Sequence, residues 1–306
     1  MHGDSPAPGV YFKLILSTAF WGASFIAGRH LAQHMPHFLA ATGRFAIALV
    51  PLLVFAVLTN NLPRLTRGQL IATLLLGATG VFAYNALFLA GLKHLPASRA
   101  ALIVALSPIM TMLTLRLVAR ERWSRGRVAG VLLSLCGAAL VITRGDLAGV
   151  LNGAVGLGEL WILLAVVAWV AYTLIGRRAM RGLSATAATA WSTLWGTLML
   201  ALPAGYQWAR DGAQWPSLVS WVAMAYLGVG ATALAFVWYN QAVASIGPAR
   251  ATLFTNLVPV FAVVFSMLLL GERLVPASLL GGVMVIGGVL LANRPGGVRT
   301  SQHRQA

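Results

Sequence analysis

Arg99–Arg122 reads RAALIVALSPIMTMLTLRLVARER, and Arg250–Arg273 reads RATLFTNLVPVFAVVFSMLLLGER. The two stretches align without a gap at an offset of 151 residues: Arg99-Ala100 falls on Arg250-Ala251, Pro108 on Pro259, and Glu121-Arg122 on Glu272-Arg273. The register holds on both sides. Leu76-Gly77 matches Leu227-Gly228 upstream, and Gly130 and Gly137 match Gly281 and Gly288 downstream. Towards the N-terminus, at a slightly smaller offset, Trp21 matches Trp169 and Gly28-Arg29 matches Gly176-Arg177. Apolar segments resemble one another by chance because their alphabet is small. Prolines, a Glu-Arg pair and an ungapped register are harder to obtain that way, so the chain reads as a duplication.

Composition says what was duplicated. Of 306 residues, 59% are hydrophobic and 9% charged, and the acids are only Asp4, Glu121, Asp146, Glu159, Asp211 and Glu272. A water-soluble domain carries roughly a quarter charged residues, so this surface suits lipid. The net charge of +16 raises the question of nucleic acid. A nucleic-acid surface gathers its Lys and Arg on one exposed face, whereas here they fall in short bursts between apolar runs, which is the pattern of membrane loops. The one cysteine, Cys136, sits in an apolar run and reads as a small buried packing residue, with no disulfide framework around it.

Runs long enough to cross about 30 Å of hydrocarbon lie near 11–31, 38–58, 69–92, 98–118 and 127–143, and again near 158–177, 185–205, 217–243, 249–270 and 276–292. The expected fold is all-α, with ten transmembrane helices forming two five-helix repeats around a central cavity. The repeats occupy 11–147 and 148–294, between tails at 1–10 and 295–306. With the N-terminus inside, fifteen Lys and Arg fall in inner loops and six in outer ones, so the positive-inside rule puts both termini in the cytoplasm. The first run lacks the flanks of a cleaved signal peptide and reads as a retained span. Five helices is an odd number, so the copies lie in opposite orientations. Inverted repeats of this kind are the common plan of secondary transporters, with a site near the midplane between halves.

The chain also resembles the drug/metabolite transporter superfamily, in its ten-helix form with two EamA domains. The residues that carry the likeness are Trp21-Gly22-Ala23-Ser24-Phe25, Arg44-Phe45, the proline in each fourth helix, the endings Ala119-Arg120-Glu121-Arg122 and Leu270-Gly271-Glu272-Arg273, and the glycine-rich helix after each. The resemblance covers about 11–294. Its motifs are diffuse and structural, specifying the fold well and the substrate badly. Within the group the chain looks most like bacterial inner-membrane exporters of amino acids, aromatic ones included. That resemblance implies a small-molecule substrate, no cofactor and no enzymatic reaction.

Polar and aromatic residues inside spans are the candidate substrate-binding positions: Trp21, Arg44, Tyr84, Asn85, Trp169, Tyr172, Trp238, Tyr239, Asn240 and Asn256. A buried amide needs partners, so the asparagines should face the interior or a wet cavity. Rings beside amides suit a substrate with an apolar body and a polar end. Arg44 stands some six residues into its helix, where a charge is costly unless paired. It either meets a substrate carboxylate with a two-pronged bond, snorkels to the surface, or bonds helix carbonyls. Pro108 and Pro259 each remove a helical hydrogen bond, giving either paired gating kinks or static bends. Trp161, Trp208, Trp215 and Trp221 lie near span ends and suit the interfacial belt.

Missing residues narrow the class. No Asp or Glu lies mid-span, whereas many ion-coupled carriers use such a carboxylate. Glu121, Glu159 and Glu272 lie at helix ends and read as partners of nearby arginines. Downhill export therefore fits better than tight coupling. The glycines of the fifth and tenth helices recur about seven residues apart and read as a close-packing stripe. A membrane enzyme acting on lipid-linked substrates would need gathered carboxylates, a His/Asp cluster or a metal site. A channel would need ringed charges or a repeated filter. Neither pattern is present in the sequence.

Overall fold

The computed structural model describes residues 8–59, 62–119, 124–146, 156–179, 182–211, 215–246, 251 and 254–292, and every regular element in them is helical. The first repeat runs α1 (Pro8–His34), α2 (His37–Leu58), α3, α4 and α5 (Arg125–Thr143). The helix α3 passes from Arg67–Leu76 through a wider π-helical stretch, Gly77–Ala83, into Tyr84–His94; α4 is Ala97–Val104 followed by Ser107–Ala119. The second repeat runs α6 (Leu157–Ala179), α7 (Ala185–Asp211), α8, α9 (Leu257–Leu270) and α10 (Pro276–Ala292). The helix α8 repeats the plan of α3, with Leu218–Ala225, a π stretch at Tyr226–Leu234, and Ala235–Ile246. Seven of the helices are long and apolar enough to cross a membrane on their own account, and α9 and α10 are shorter apolar helices. The remaining one, α7, is more polar because it turns Ser192, Thr193 and Thr197 into the bundle, where all three are buried.

The ends are built by ordinary rules. Thr66 opens α3 with a reciprocal capping box to Gln69, while Ser124 and Ser217 cap α5 and α8. Left-handed residues close two helices, Gly271 after α9 and Arg144-Gly145 after α5. The fourth-helix prolines do something sharper than bend. A turn at Ala105-Leu106 interrupts α4, which restarts with Pro108 as the second residue of its next segment. A turn at Thr255-Asn256 precedes α9 in the same way, with Pro259 as its third residue. A proline has no N–H for the bond to the carbonyl four residues back and its ring crowds that carbonyl, but it is at ease in a first turn, so each span breaks upstream and restarts with its proline in the new first turn.

The main packing crosses between repeats. On α8 and α9 lies α1; correspondingly, α6 lies on α3 and α4. The helices α2 and α7 pack on each other, as do α5 and α10. Exchanging the repeats leaves this pattern unchanged, as a two-fold relation between inverted copies requires. In lipid the apolar effect does not hold helices together, so small residues line the contacts and large ones face outward. In α2, Ala40, Ala41, Ala48 and Ala56 are buried while Val50, Val54, Val57 and Leu58 are exposed. The α5–α10 pair carries this furthest. A methyl group on Gly137 would stand 2.5 Å from the Gly281 carbonyl, and one on Gly130 would stand 2.5 Å from the Ala292 amide. Ser134 adds a hydroxyl bond of 2.9 Å to the carbonyl of Val285.

One expectation is corrected here. Cys136 is exposed rather than buried. The packed face of α5 consists of Gly130, Val131, Ser134, Gly137, Ala138 and Val141, and Cys136 falls off that stripe. An apolar neighbourhood along the chain serves a lipid-facing position as well as a core one.

Candidate functional site

Arg44 is the centre of the site. From α2 its Nη1 donates to Asn85 Oδ1 on α3 at 3.0 Å, and its Nη2 reaches Thr232 Oγ1 on α8 at 3.4 Å. Nε is buried with no hydrogen-bond partner among the described residues. Phe45 lies under the guanidinium, its ring centre 4.9 Å from Cζ. The head of Arg44 is thus held between α2, α3 and α8, inside the bundle.

Both partners are themselves fastened to the π stretches. The Asn85 side chain donates to the carbonyls of Gly80 at 3.2 Å and Val81 at 2.9 Å, and Thr232 donates to the carbonyl of Leu227 at 2.8 Å. A π turn lengthens the helical hydrogen-bond step from four residues to five and disturbs the ordinary pairing of carbonyls, which these side chains take up. Gly80 also lets α3 approach α6, since any side chain there would enter the ring of Tyr172.

Aromatic side chains on the neighbouring helices form two groups. Trp169 sits 5.2 Å from both Tyr84 and Tyr172, and Tyr84 stacks on Phe88 at 5.6 Å. In the other repeat Trp21, the counterpart of Trp169, lies 5.3 Å from Tyr239 and donates its indole N–H to the carbonyl of Ala231 at 2.9 Å. Trp238 belongs to a different face, stacked on Phe20 at 5.8 Å. Asn256 stands in the turn ahead of α9, and the side chain of Asn240 lies outside the described residues. Thr232 escaped the sequence reading. A threonine in an apolar helix is ordinarily silent, and only the π stretch aims this one at Arg44.

At one end of the bundle two ion pairs join the repeats. Glu272, after α9, lies 3.5 Å from Arg29 Nε and accepts the amides of Ala97 and Ser98 at 2.9 and 3.1 Å, together with the Ser98 hydroxyl at 2.6 Å. Arg29 also reaches the carbonyl of Leu95. Arg99 pairs with Glu159 at 2.7 Å, both side chains 4% exposed, and donates to the last carbonyls of α5, Val141 and Ile142. Both carboxylates thus pair with arginines, as expected, and Glu159 is buried within the protein at its helix end. The corresponding Glu121, Arg122 and Arg250 lie outside the described residues. A separate cavity of about 350 Å³ lies between Leu62–Leu65, Leu70 and the stacked Trp191 and Trp195, away from Arg44.

Comparison with known proteins decides the family. The EamA-like transporter family matches residues 9–143 and again 156–294. The chain belongs to the EamA-like transporter family. It is 27% identical to the uncharacterized transporter YyaM of Bacillus subtilis over 93% of each chain. It is 28% identical to a protein of Streptantibioticus cattleyicolor named "Probable terminal-alkyne amino-acid exporter", over 92% of this chain and 93% of that one. It is 26% identical to a Salmonella typhimurium protein named "Probable amino-acid metabolite efflux pump", with the same coverage. A crystal structure superposes on 94% of the chain and 98% of its own, with a TM-score of 0.65 at 20% identity, a likeness of fold. The protein is a multi-pass membrane transporter built from two EamA repeats.

Proposed function

We propose that the chain exports amino acids, aromatic ones among them, across the bacterial inner membrane by alternating access between its inverted repeats. The observation that carries this reading is the state of Arg44. One edge of its guanidinium is anchored on Asn85, while Nε on the other edge has no partner among the described residues and the adjacent Nη2 has only a long bond. Nε–H and Nη2 lie on the same edge and form the fork that takes both oxygens of a carboxylate. A buried donor left unpaired costs about 1–3 kcal/mol, so the bound carboxylate removes a penalty that the empty site carries. Tyr84, Trp169 and Tyr172 on one side and Trp21 and Tyr239 on the other supply apolar walls for the rest of the substrate.

In this reading both termini are cytoplasmic, and the Glu272 and Arg99 ion pairs close the outer end. The fork is covered in this conformation and opens to one side at a time as the repeats rock. Transport runs downhill, without a coupling ion. Two relatives named as an amino-acid exporter and an amino-acid metabolite efflux pump support this reading.

Purified protein in liposomes loaded with labelled amino acids tests it, alongside the matching amino-acid amides, which keep the side chain and lose the carboxylate. Efflux of aromatic amino acids without an ion gradient, with the amides excluded, is the expected result. Equal flux of acids and amides, or no flux of either, overturns it.

A further inference from the structure

Arg44 touches both repeats, but not equally. Its bond to Asn85 stays within the first repeat, is 3.0 Å long, and ends on an amide with no freedom left. Asn85 is 2% exposed, and its nitrogen is spent on two backbone carbonyls of its own helix. The bond to Thr232 crosses to the second repeat and, at 3.4 Å, lies beyond the usual range for N–H···O. The Thr232 hydroxyl has already donated its only hydrogen to Leu227, so it remains in place as an acceptor whether or not Arg44 is there.

The backbones at this crossing also approach closely. Gly228 of α8 faces the main chain of α2 so closely that a methyl group on it would stand 2.7 Å from the Arg44 carbonyl and 3.0 Å from the Ala48 amide. The side-chain packing here is carried by Met224 of α8, which lies against Gly43, and by Ile47 of α2, which lies against Gly228. Alternating access displaces one repeat against the other, so contacts within a repeat persist and contacts between repeats are remade.

We propose that Asn85 and Thr232 are positioning residues with different duties. Asn85 is the permanent seat that aims the guanidinium at a substrate carboxylate. Thr232 is the releasable contact, and the Arg44–Thr232 bond forms and breaks once in each transport cycle. This rests on Arg44 being the carboxylate receptor. It adds that the seat sets substrate affinity and the releasable bond sets the rate of the conformational step.

The test measures exchange of labelled L-phenylalanine by the full-length protein in liposomes, with thermal unfolding of each variant recorded to show that it is folded. Asn85→Ala should raise KM about tenfold, since loss of a bond to a charged group is of that order, with a smaller change in Vmax. Thr232→Val should leave KM within about twofold and change Vmax by about threefold or more. Thr232→Ser, which keeps the hydroxyl, should restore Vmax.

Thr232→Val acting on KM as Asn85→Ala does, or on neither parameter, overturns the division of duties, as does failure of the serine to rescue. Those results leave the carboxylate role of Arg44 standing if Arg44→Gln still abolishes exchange. Exchange unaffected by Arg44→Gln, or no phenylalanine exchange by the wild type, overturns the proposed function and this inference together.

Discussion

The carboxylate of Glu272 holds the amide of Ser98 at 3.1 Å and its hydroxyl at 2.6 Å, so a residue of the second repeat caps a helix of the first. The amino end of a helix presents unpaired N–H groups and a partial positive charge, both of which a carboxylate satisfies. Arg29, 3.5 Å away on the other side, belongs to α1. One side chain thus ties α1, α4 and the α9 terminus together, and separating the repeats at this end requires its release.

Glu272→Gln keeps the shape but removes the charge. The cap and ion pair should weaken by about 1–2 kcal/mol, or roughly tenfold in the opening equilibrium. With Cys136 replaced by Ser, a cysteine at buried Leu95 reports the opening. An impermeant maleimide should label it about tenfold faster when Glu272→Gln is present, and an unchanged rate would remove Glu272 from the closure.

Arg99 and Glu159 test a different balance. Both are 4% exposed, and removing one partner of a buried pair leaves an uncompensated charge costing about 3–5 kcal/mol. Arg99→Ala should lower the unfolding temperature clearly. Replacing both residues by apolar ones of similar size should cost less than the single change. If the double variant is the less stable, the pair contributes more than its own desolvation.

The glycines of α10 make an internal control. Gly281 meets the Gly137 carbonyl at 2.5 Å, counted from an added methyl, whereas Gly287 has nothing within 4 Å. Gly281→Leu should abolish the folded, monodisperse protein in detergent, while Gly287→Leu should be tolerated on the lipid-facing side. Equal behaviour of the two would mean the α5–α10 contact is not a close crossing.

Gly80 links packing to the site. An alanine there strikes the Tyr172 ring, and the Gly80 carbonyl is one of the two that hold Asn85. Gly80→Ala should cut flux at least about tenfold through a misplaced Arg44. Adding Tyr172→Leu, which removes the ring but keeps an apolar wall, should recover part of it by making room. Recovery of stability without recovery of flux would separate the π stretch from Tyr172.

The fold was legible because it repeats. The paired prolines and Glu-Arg endings, and the five apolar runs in each half, determine the helix number and the inversion. The fully buried state of Glu159 was not legible, because its partner Arg99 is sixty residues away along the chain and only packing brings them together. Arg44 and Asn85 stood out as polar groups in apolar helices. Thr232 did not, since its role depends on a π stretch that widens α8 by one residue per turn and that no local pattern announces. The aromatic candidates divide for the same reason: Trp21 and Trp169 occupy equivalent places in the two repeats, while Trp238, one residue from Tyr239, points to another face.

The helix pairings also govern how the protein is made. Because α1 rests on α8 and α9, and α2 on α7, the first five helices enter the bilayer before the surfaces they need have been translated. At that stage Arg99 lacks Glu159, and Arg44 lacks Thr232. Until the second half is delivered, the first has only the contacts within itself, so its final packing forms when the two copies come together.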